Sequence, residues 1–259
     1  MLLEALGALE DNYIWLLRDG DGRALVVDPG DADAVLRALD GCPPPHAILL
    51  THHHNDHIGA VPALLACWPG TPVIGPDDAR IHTTSQTVGD GDHVTVGPWQ
   101  FQVLGIPGHT LSHIAFYCAD ADSQRLLFCG DTLFSLGCGR MFEGTAPQMH
   151  ASLMRLAALP GDTRVCCGHE YTLANAAFAL AADPDNPQLH TRATEAAALR
   201  VAGKPTLPSL LADERACNPF LRCAEPALQA AAKRHTGTRP AGDVAVFAAL
   251  RQWKDGFRA

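Results

Sequence analysis

The 259-residue sequence contains no CxxC pair, although it has nine cysteines. An odd number of thiols scattered from Cys42 to Cys223 supplies neither a disulfide framework nor a zinc knuckle, and it fits the reducing cytosol best. A basic face is also missing. Lys and Arg total 19 against 28 Asp and Glu, a formal charge of -9, which excludes long-range attraction to nucleic acid or to an anionic membrane. No apolar run is long enough to span a bilayer, and the opening Met-Leu-Leu-Glu-Ala lacks a basic segment followed by an apolar stretch, so neither insertion nor export is expected. Internal repeats and low-complexity linkers are absent too. What remains is 47% hydrophobic and 18% charged, the composition of a globular protein with enough interior for a real core. The expectation is a cytoplasmic protein with no obligate protein partner, acting as a monomer.

Short apolar runs that end in Gly, Pro or Asp read as strands: Tyr13 to Leu17, Ala24 to Val27, Ala47 to Leu50, Trp99 to Leu104, Ile114 to Cys118, Leu126 to Cys129 and Arg164 to Cys167. Helical patterns lie between some of them, at Ala32 to Leu39, Ile58 to Cys67 and Gln148 to Leu159, so the first two-thirds predicts a mixed α/β arrangement of several layers. Beyond Tyr171 the chain becomes Ala-rich. Four helices are predicted there, at Leu173 to Ala182, Gln188 to Val201, Pro226 to Arg234 and Asp243 to Trp253, with Pro between them. We therefore expect one domain over residues 1–172 and a smaller helical one over 173–259.

The most informative stretch is Thr51-His52-His53-His54-Asn55-Asp56-His57, directly after the strand-like run Ala47 to Leu50. In extended chain, residues two apart share a side, so His52 and His54 can converge on one cation while Asp56 and His57 reach another. Imidazole and carboxylate donors suit zinc, manganese or iron, and the lack of a cysteine argues against a closed structural zinc site. Three later segments, each with a glycine that permits a sharp turn at a strand end, offer further ligands: Pro107-Gly108-His109-Thr110, Gly130-Asp131-Thr132 and Cys167-Gly168-His169-Glu170. A carboxylate can bridge two cations held roughly 3.5–4 Å apart. The expected assignment is therefore His52, His54 and His109 at one divalent ion and Asp56, His57 and His169 at a second. Asp131 and a hydroxide are shared, with Asp131 and Asp56 the catalytic carboxylates. Four candidate ligands within six residues beside an apolar strand would be expensive to bury without such partners. His53 is expected to turn away, and His113 is close enough to His109 in sequence to orient a ligand.

The HxHxDH loop with the GHT, GDT and CGHEY segments resembles the metallo-β-lactamase superfamily, which implies a four-layer αββα sandwich with metals at one edge of its sheets. Fold alone would not choose a reaction. Further segments are similar to the glyoxalase II family, the hydroxyacylglutathione hydrolases: Asp11-Asn12-Tyr13, Gly137-Cys138-Gly139-Arg140-Met141-Phe142-Glu143-Gly144, Cys167 to Tyr171, Asn218-Pro219-Phe220-Leu221-Arg222 and the closing Leu250-Arg251-Gln252-Trp253-Lys254-Asp255. That likeness implies two divalent metals, zinc first with iron or manganese as alternatives. It also implies hydrolysis of S-(2-hydroxyacyl)glutathione, chiefly S-D-lactoylglutathione to D-lactate and glutathione, by a metal-bridged hydroxide in methylglyoxal detoxification. By position, Arg251 and Lys254 take the pair that holds the glutathione glycine carboxylate, and Arg140, Phe142 and Tyr171 the other substrate contacts. An i, i+3 pair on a helix shares a face, and Arg suits bidentate carboxylate contact. Arg140 and Phe142 stand where the family often has Lys and Tyr; the cation is kept and a hydroxyl is lost.

Two other readings predict different observations. A glutathione persulfide dioxygenase of the same fold would hold a single iron and consume oxygen, and a metal-dependent binding module would turn over no thioester.

Overall fold

A computed structural model describes residues 1–258 of the chain. The backbone divides into two compact units, one of Met1–Gly105, Ser112–Gly130 and Cys166–His169, the other of Ile106–Leu111, Asp131–Val165 and the rest of the chain from Glu170.

The first unit opens with β1 (Leu2–Ala8), β2 (Asn12–Arg18), β3 (Ala24–Val27), α1 (Ala32–Ala38) and β4 (Ala47–Leu49). It continues through α2 (Asn55–Ile58), α3 (Val61–Cys67), β5 (Val73–Pro76) and β6 (Gln86–Val88) to β7 (His93–Val96), β8 (Trp99–Gly105), β9 (Ile114–Ala121) and β10 (Gln124–Gly130). Strands β1 to β6 form one sheet in sequence order, antiparallel through β3 and parallel from there to β6. Strands β7 to β10 make an antiparallel meander. The central strands β2, β3 and β4 are apolar on both faces because both are covered. On one face Ile14, Leu16, Val26, Ile48 and Leu50 pack against Val35 and Leu39 at α1 and Val61 and Leu64 of α3. On the other, Trp15 faces Phe128 of β10 with ring centroids 6.5 Å apart, and Phe128 meets Phe101 of β8 at 6.2 Å. Alternation along each strand thus gives a helix, sheet, sheet stack.

The helix expected from Ile58 to Cys67 is broken into α2 and α3. Pro62 has no N–H to give to Ile58, and the Ala60 amide leaves the helix to reach the Pro29 carbonyl at 3.1 Å. Strands β1, β5, β6 and β7 were not anticipated from the sequence.

The second unit carries the hairpin β11 (Leu133–Phe134) and β12 (Gly137–Cys138), then α4 (Ala146–Ala157), β13 (Thr163–Cys167), α5 (Thr172–Ala182), α6 (Pro187–Val201), β14 (Ser209–Leu210), α7 (Leu211–Cys217), a 3-10 turn at Pro219–Leu221, α8 (Pro226–Thr236) and α9 (Asp243–Gly256). The chain of β13 passes into the first unit at Cys166. Local chemistry sets the helix ends. Thr145 and Gln148 form a capping box at the start of α4, the Asn186 side chain accepts from Leu189 N at the start of α6, and Gly237 closes α8 in the left-handed region at φ 76°. The four helices expected after Tyr171 are present as α5, α6, α8 and α9, and α7 is an addition. Among the described residues no helix is long and apolar enough to cross a membrane.

Candidate metal centre

The histidine loop begins where β4 ends, and its foundation is Asp28 at the end of the neighbouring strand β3. Asp28 accepts from Thr51 N at 2.8 Å and from Thr51 Oγ1 at 2.7 Å, and its Oδ2 lies 3.2 Å from His57 Nδ1. Backbone closeness is part of the design here. A Cβ on Gly30 would sit 2.0 Å from the Asp56 carbonyl oxygen, and one on Gly130, at φ 45°, 2.3 Å from Thr51 Oγ1. Only glycine lets these chain segments approach the loop so closely.

His52 and His57 are fully buried and His169 nearly so. Each of the last two rings is fixed at one nitrogen by a carboxylate: His57 Nδ1 donates to Asp28, and His169 Nδ1 donates to Asp11 Oδ1 at 2.7 Å. An acceptor-only partner at Nδ1 leaves the lone pair on Nε2, the tautomer a metal ligand needs. Both Nε2 atoms lie 3.4 Å from Asp56 Oδ2, and the three ligand atoms lie within 4.8 Å of one another. Asn12 Nδ2 adds a hydrogen bond to Asp56 Oδ2 at 3.0 Å.

His52 Nε2 and His54 Nδ1 approach to 3.1 Å, close to the roughly 3.3 Å that two imidazoles on one tetrahedral zinc adopt with bonds of about 2.0–2.1 Å. His52 Nδ1 faces Thr51 Oγ1 at 3.1 Å. His113 stacks on His52 with centroids 4.5 Å apart and donates through Nδ1 to the Ile114 carbonyl, so it braces that ring. His53 turns toward Asp78, 3.5 Å away. The donor set fits divalent cations: neutral imidazoles with fixed tautomers, one ionised carboxylate between two of them, and carboxylates behind the rings.

In the second unit His109 Nδ1 donates to the Arg140 carbonyl at 2.8 Å, and its Nε2 lies 3.5 Å from Asp131 Oδ2. A Cβ on Gly139 would fall 1.9 Å from the Asp131 carbonyl oxygen, so the GCGR turn must pass close over Asp131. The Phe142 amide donates to the His109 carbonyl, and the exposed Phe142 ring stands edge-on to His109 at 5.2 Å. The Arg140 side chain is mostly exposed and lies 3.7 Å from Asp255. The Tyr171 ring meets Phe134 edge-on at 5.2 Å. Arg251 is buried: it donates to the Cys138 carbonyl at 2.8 Å and to Asp255 Oδ1 at 2.9 Å, with its guanidinium 5.2 Å from the Phe220 ring centroid. Lys254 Nζ reaches the Ala174 carbonyl at 3.4 Å. Burial, then the Arg251 charge, push its pKa down to about 8.

The sequence reading gave no role to Asp11, Asn12 or Asp28. Asp11 and Asn12 lie in a segment that resembles the family, and Asp28-Pro29-Gly30 ends a strand beside the histidine strand, which is the one signal that could have pointed to it.

Fold and donor set together define a metallo-β-lactamase type of metal centre. Residues 8–169 match the metallo-beta-lactamase superfamily and residues 170–257 the hydroxyacylglutathione hydrolase C-terminus. The hydroxyacylglutathione hydrolase of Xanthomonas axonopodis pv. citri is 56% identical over the full length of both chains. Among solved structures, the BLEG-1 B3 metallo-beta-lactamase aligns over 85% of this chain and 99% of its own with TM-score 0.61 and 25% identity. A di-iron-bound form of TTHA1623 covers 65% of this chain and 92% of its own with TM-score 0.52 and 35% identity. The chain belongs to the hydroxyacylglutathione hydrolase family of the metallo-β-lactamase superfamily.

Proposed function

We propose that the protein hydrolyses S-(2-hydroxyacyl)glutathione thioesters, chiefly S-D-lactoylglutathione to D-lactate and glutathione, using two divalent cations with zinc the first choice. The observation that carries this reading is the pair of anchored imidazoles, His57 on Asp28 and His169 on Asp11, whose Nε2 atoms meet Asp56 Oδ2 at 3.4 Å. The full-length relative named hydroxyacylglutathione hydrolase supports the substrate, and the di-iron form of TTHA1623 supports a metal pair. His52, His54 and His109 would hold one cation, Asp56, His57 and His169 the other, with Asp131 shared. Bound there, such cations supply a water of pKa about 7 and polarise a carbonyl.

The chain's own residues do the rest. Asp11 and Asp28 keep the lone pairs of His169 and His57 directed at the centre, and Asn12 orients Asp56 through its hydrogen bond to Oδ2. Arg140, Arg251 and Lys254 give an acidic protein the local positive charge that a glutathione anion requires, and Phe142 and Tyr171 line the same substrate arm. A thiol of pKa about 8.5 leaves as a tolerable anion, so no strong general acid is required. We assign the metal chemistry to residues 1–172 and glutathione binding mainly to 173–259. All nine cysteines are free, which supports work in the reducing cytoplasm.

The test is thioester turnover by purified protein with metal analysis of the same sample. Turnover of S-D-lactoylglutathione, two metals per chain and loss of both on chelation are expected. One iron per chain with oxygen uptake on glutathione persulfide would identify the dioxygenase instead, and bound metal with no thioester turnover a binding module.

A further inference from the structure

The hairpin from Leu133 to Cys138 starts two residues after Asp131 and ends two residues before Arg140, so its placement sets the separation of these two groups. It is not held by its own two-strand pairing alone. Asn218 Nδ2 donates to the carbonyls of Phe134 and Gly137 at 3.1 and 2.9 Å, and Asn175 Nδ2 donates to the Ser135 carbonyl at 3.0 Å. The Leu136 amide donates to Glu214 Oε2 at 2.8 Å, and Asn218 Nδ2 also reaches that oxygen at 3.1 Å. Arg192 adds a hydrogen bond to Ser135 Oγ.

Three features mark this as more than packing. Glu214 and Asn218 are fully buried, and a carboxyl and an amide are costly to bury unless they are hydrogen-bonded, as the Glu214 Oε2 and Asn218 Nδ2 atoms are. Leu136 at the turn has φ 58°, a left-handed conformation that a leucine keeps only where its surroundings impose it. Here its amide is tied to Glu214 and its side chain sits among Ala176, Ala179, Leu189 and Cys217. Finally, the Cys138 carbonyl at the end of the hairpin is the acceptor for buried Arg251, which connects the hairpin to a second substrate group. Burial pushes the Glu214 carboxyl pKa up.

We infer that Glu214 and Asn218 are positioning residues: by fixing the Leu133–Cys138 hairpin they set where Asp131 stands relative to Arg140 and Arg251, and so register the thioester on the reacting centre. This rests on the hydrolase reading. It gives the Asn218-Pro219-Phe220 run a role that its sequence alone does not state.

The decisive variant is Asn218→Asp, which keeps shape but turns the donor facing two carbonyls into an acceptor. A displacement of about 1 Å at a reacting pair can cost on the order of 10²-fold, and a fall of that size in kcat/KM is expected, with faster amide exchange at Leu133–Cys138 in metal-free protein. Glu214→Ala should do the same and Glu214→Gln restore it, since Gln can keep an oxygen toward Leu136 and Asn218. Should Asn218→Asp not fold, Gly137→Ala carries the test, because its Cβ would lie 2.5 Å from Asn175 Nδ2 and would force the hairpin and that amide apart while leaving Asn218 and Glu214 themselves unchanged. Folded variants with unchanged kcat/KM and unchanged hairpin exchange overturn the inference. A wild-type protein that turns over no thioester overturns the hydrolase reading instead, and hairpin exchange then decides the structural half by itself.

Discussion

Lys254 offers a perturbation that needs no mutation. Its ammonium lies against the Ala174 carbonyl and 5.6 Å from the Phe178 ring centroid, and burial followed by the Arg251 charge brings its pKa to about 8 from an ordinary 10.5. At that pKa roughly nine in ten molecules carry the charge at pH 7 and roughly one in ten at pH 9. If only the charged form holds the glutathione carboxylate, apparent affinity follows that fraction, and KM rises roughly tenfold over this interval. Tenfold is about 1.4 kcal/mol, just below the range of about 1.5–3 kcal/mol that a charge-assisted hydrogen bond supplies when fully lost.

Initial rates on S-D-lactoylglutathione from about pH 7 to about pH 9, with metal-loaded enzyme, read this directly. Lys254→Met should give a high KM that no longer climbs with pH, and Lys254→Arg a low one that stays low. A wild-type KM that is flat across the interval, or a Met variant that keeps the climb, refutes the reasoning. The same depressed pKa has a stability consequence of defined sign. Between about 8 and 10.5 the unfolded chain binds more protons at this site than the folded one, so its contribution makes folding more favourable as pH rises through that window. Partial exposure keeps the effect small.

Asp131→Ala should lose metal and turnover together, and full activity in a metal-poor Asp131→Ala protein would defeat the proposed ligand set. Asp28→Asn keeps one acceptor for Thr51 but removes the carboxylate behind His57; metal affinity should fall about 10–100-fold, by competition with a chromophoric chelator, and an unchanged affinity would show that the anchor is dispensable. Phe142→Tyr adds a hydroxyl at an exposed position, and a hydrogen bond to the substrate peptide worth about 0.5–1.5 kcal/mol would lower KM roughly two- to tenfold. A KM that stays the same or rises would mean that this loop does not face the peptide.

The contrast between what the sequence disclosed and what it hid has a physical basis. The His52 to His57 loop was legible as a candidate metal site because its donor side chains are close in sequence and follow an apolar strand, so spacing alone brings Asp56 and His57 together. Asp11, which fixes His169, lies 158 residues away from it in the chain, and no local pattern encodes such a pair. Asp28 was hidden for a related reason: it acts by lying beside β4 in the sheet, and strand adjacency is not written in either strand. Strand β1 was missed because Leu-Leu-Glu-Ala-Leu favours a helix on local grounds, yet pairing with β2 along all seven residues overrides that preference. Helix α7 is short and carries Glu214, a residue whose charge suggests a surface position and whose partners on the hairpin lie about 80 residues upstream.

These hidden residues share one logic. Asp11, Asp28 and Glu214 are carboxylic acids whose partners are candidate metal ligands, or the chain that carries candidate substrate groups, and each is paired through hydrogen bonds at 2.7–3.2 Å. Without partners the burial of Asp28 and Glu214 would oppose folding. Paired, they convert folding energy into fixed ring tautomers and a fixed hairpin before any ligand arrives, so binding pays little for ordering the site. The acidic balance of the chain therefore does not conflict with an anionic substrate. Part of that negative charge is already committed to holding histidines, and the groups that would meet the thioester, Arg140, Arg251 and Lys254, are drawn from a turn and one face of α9.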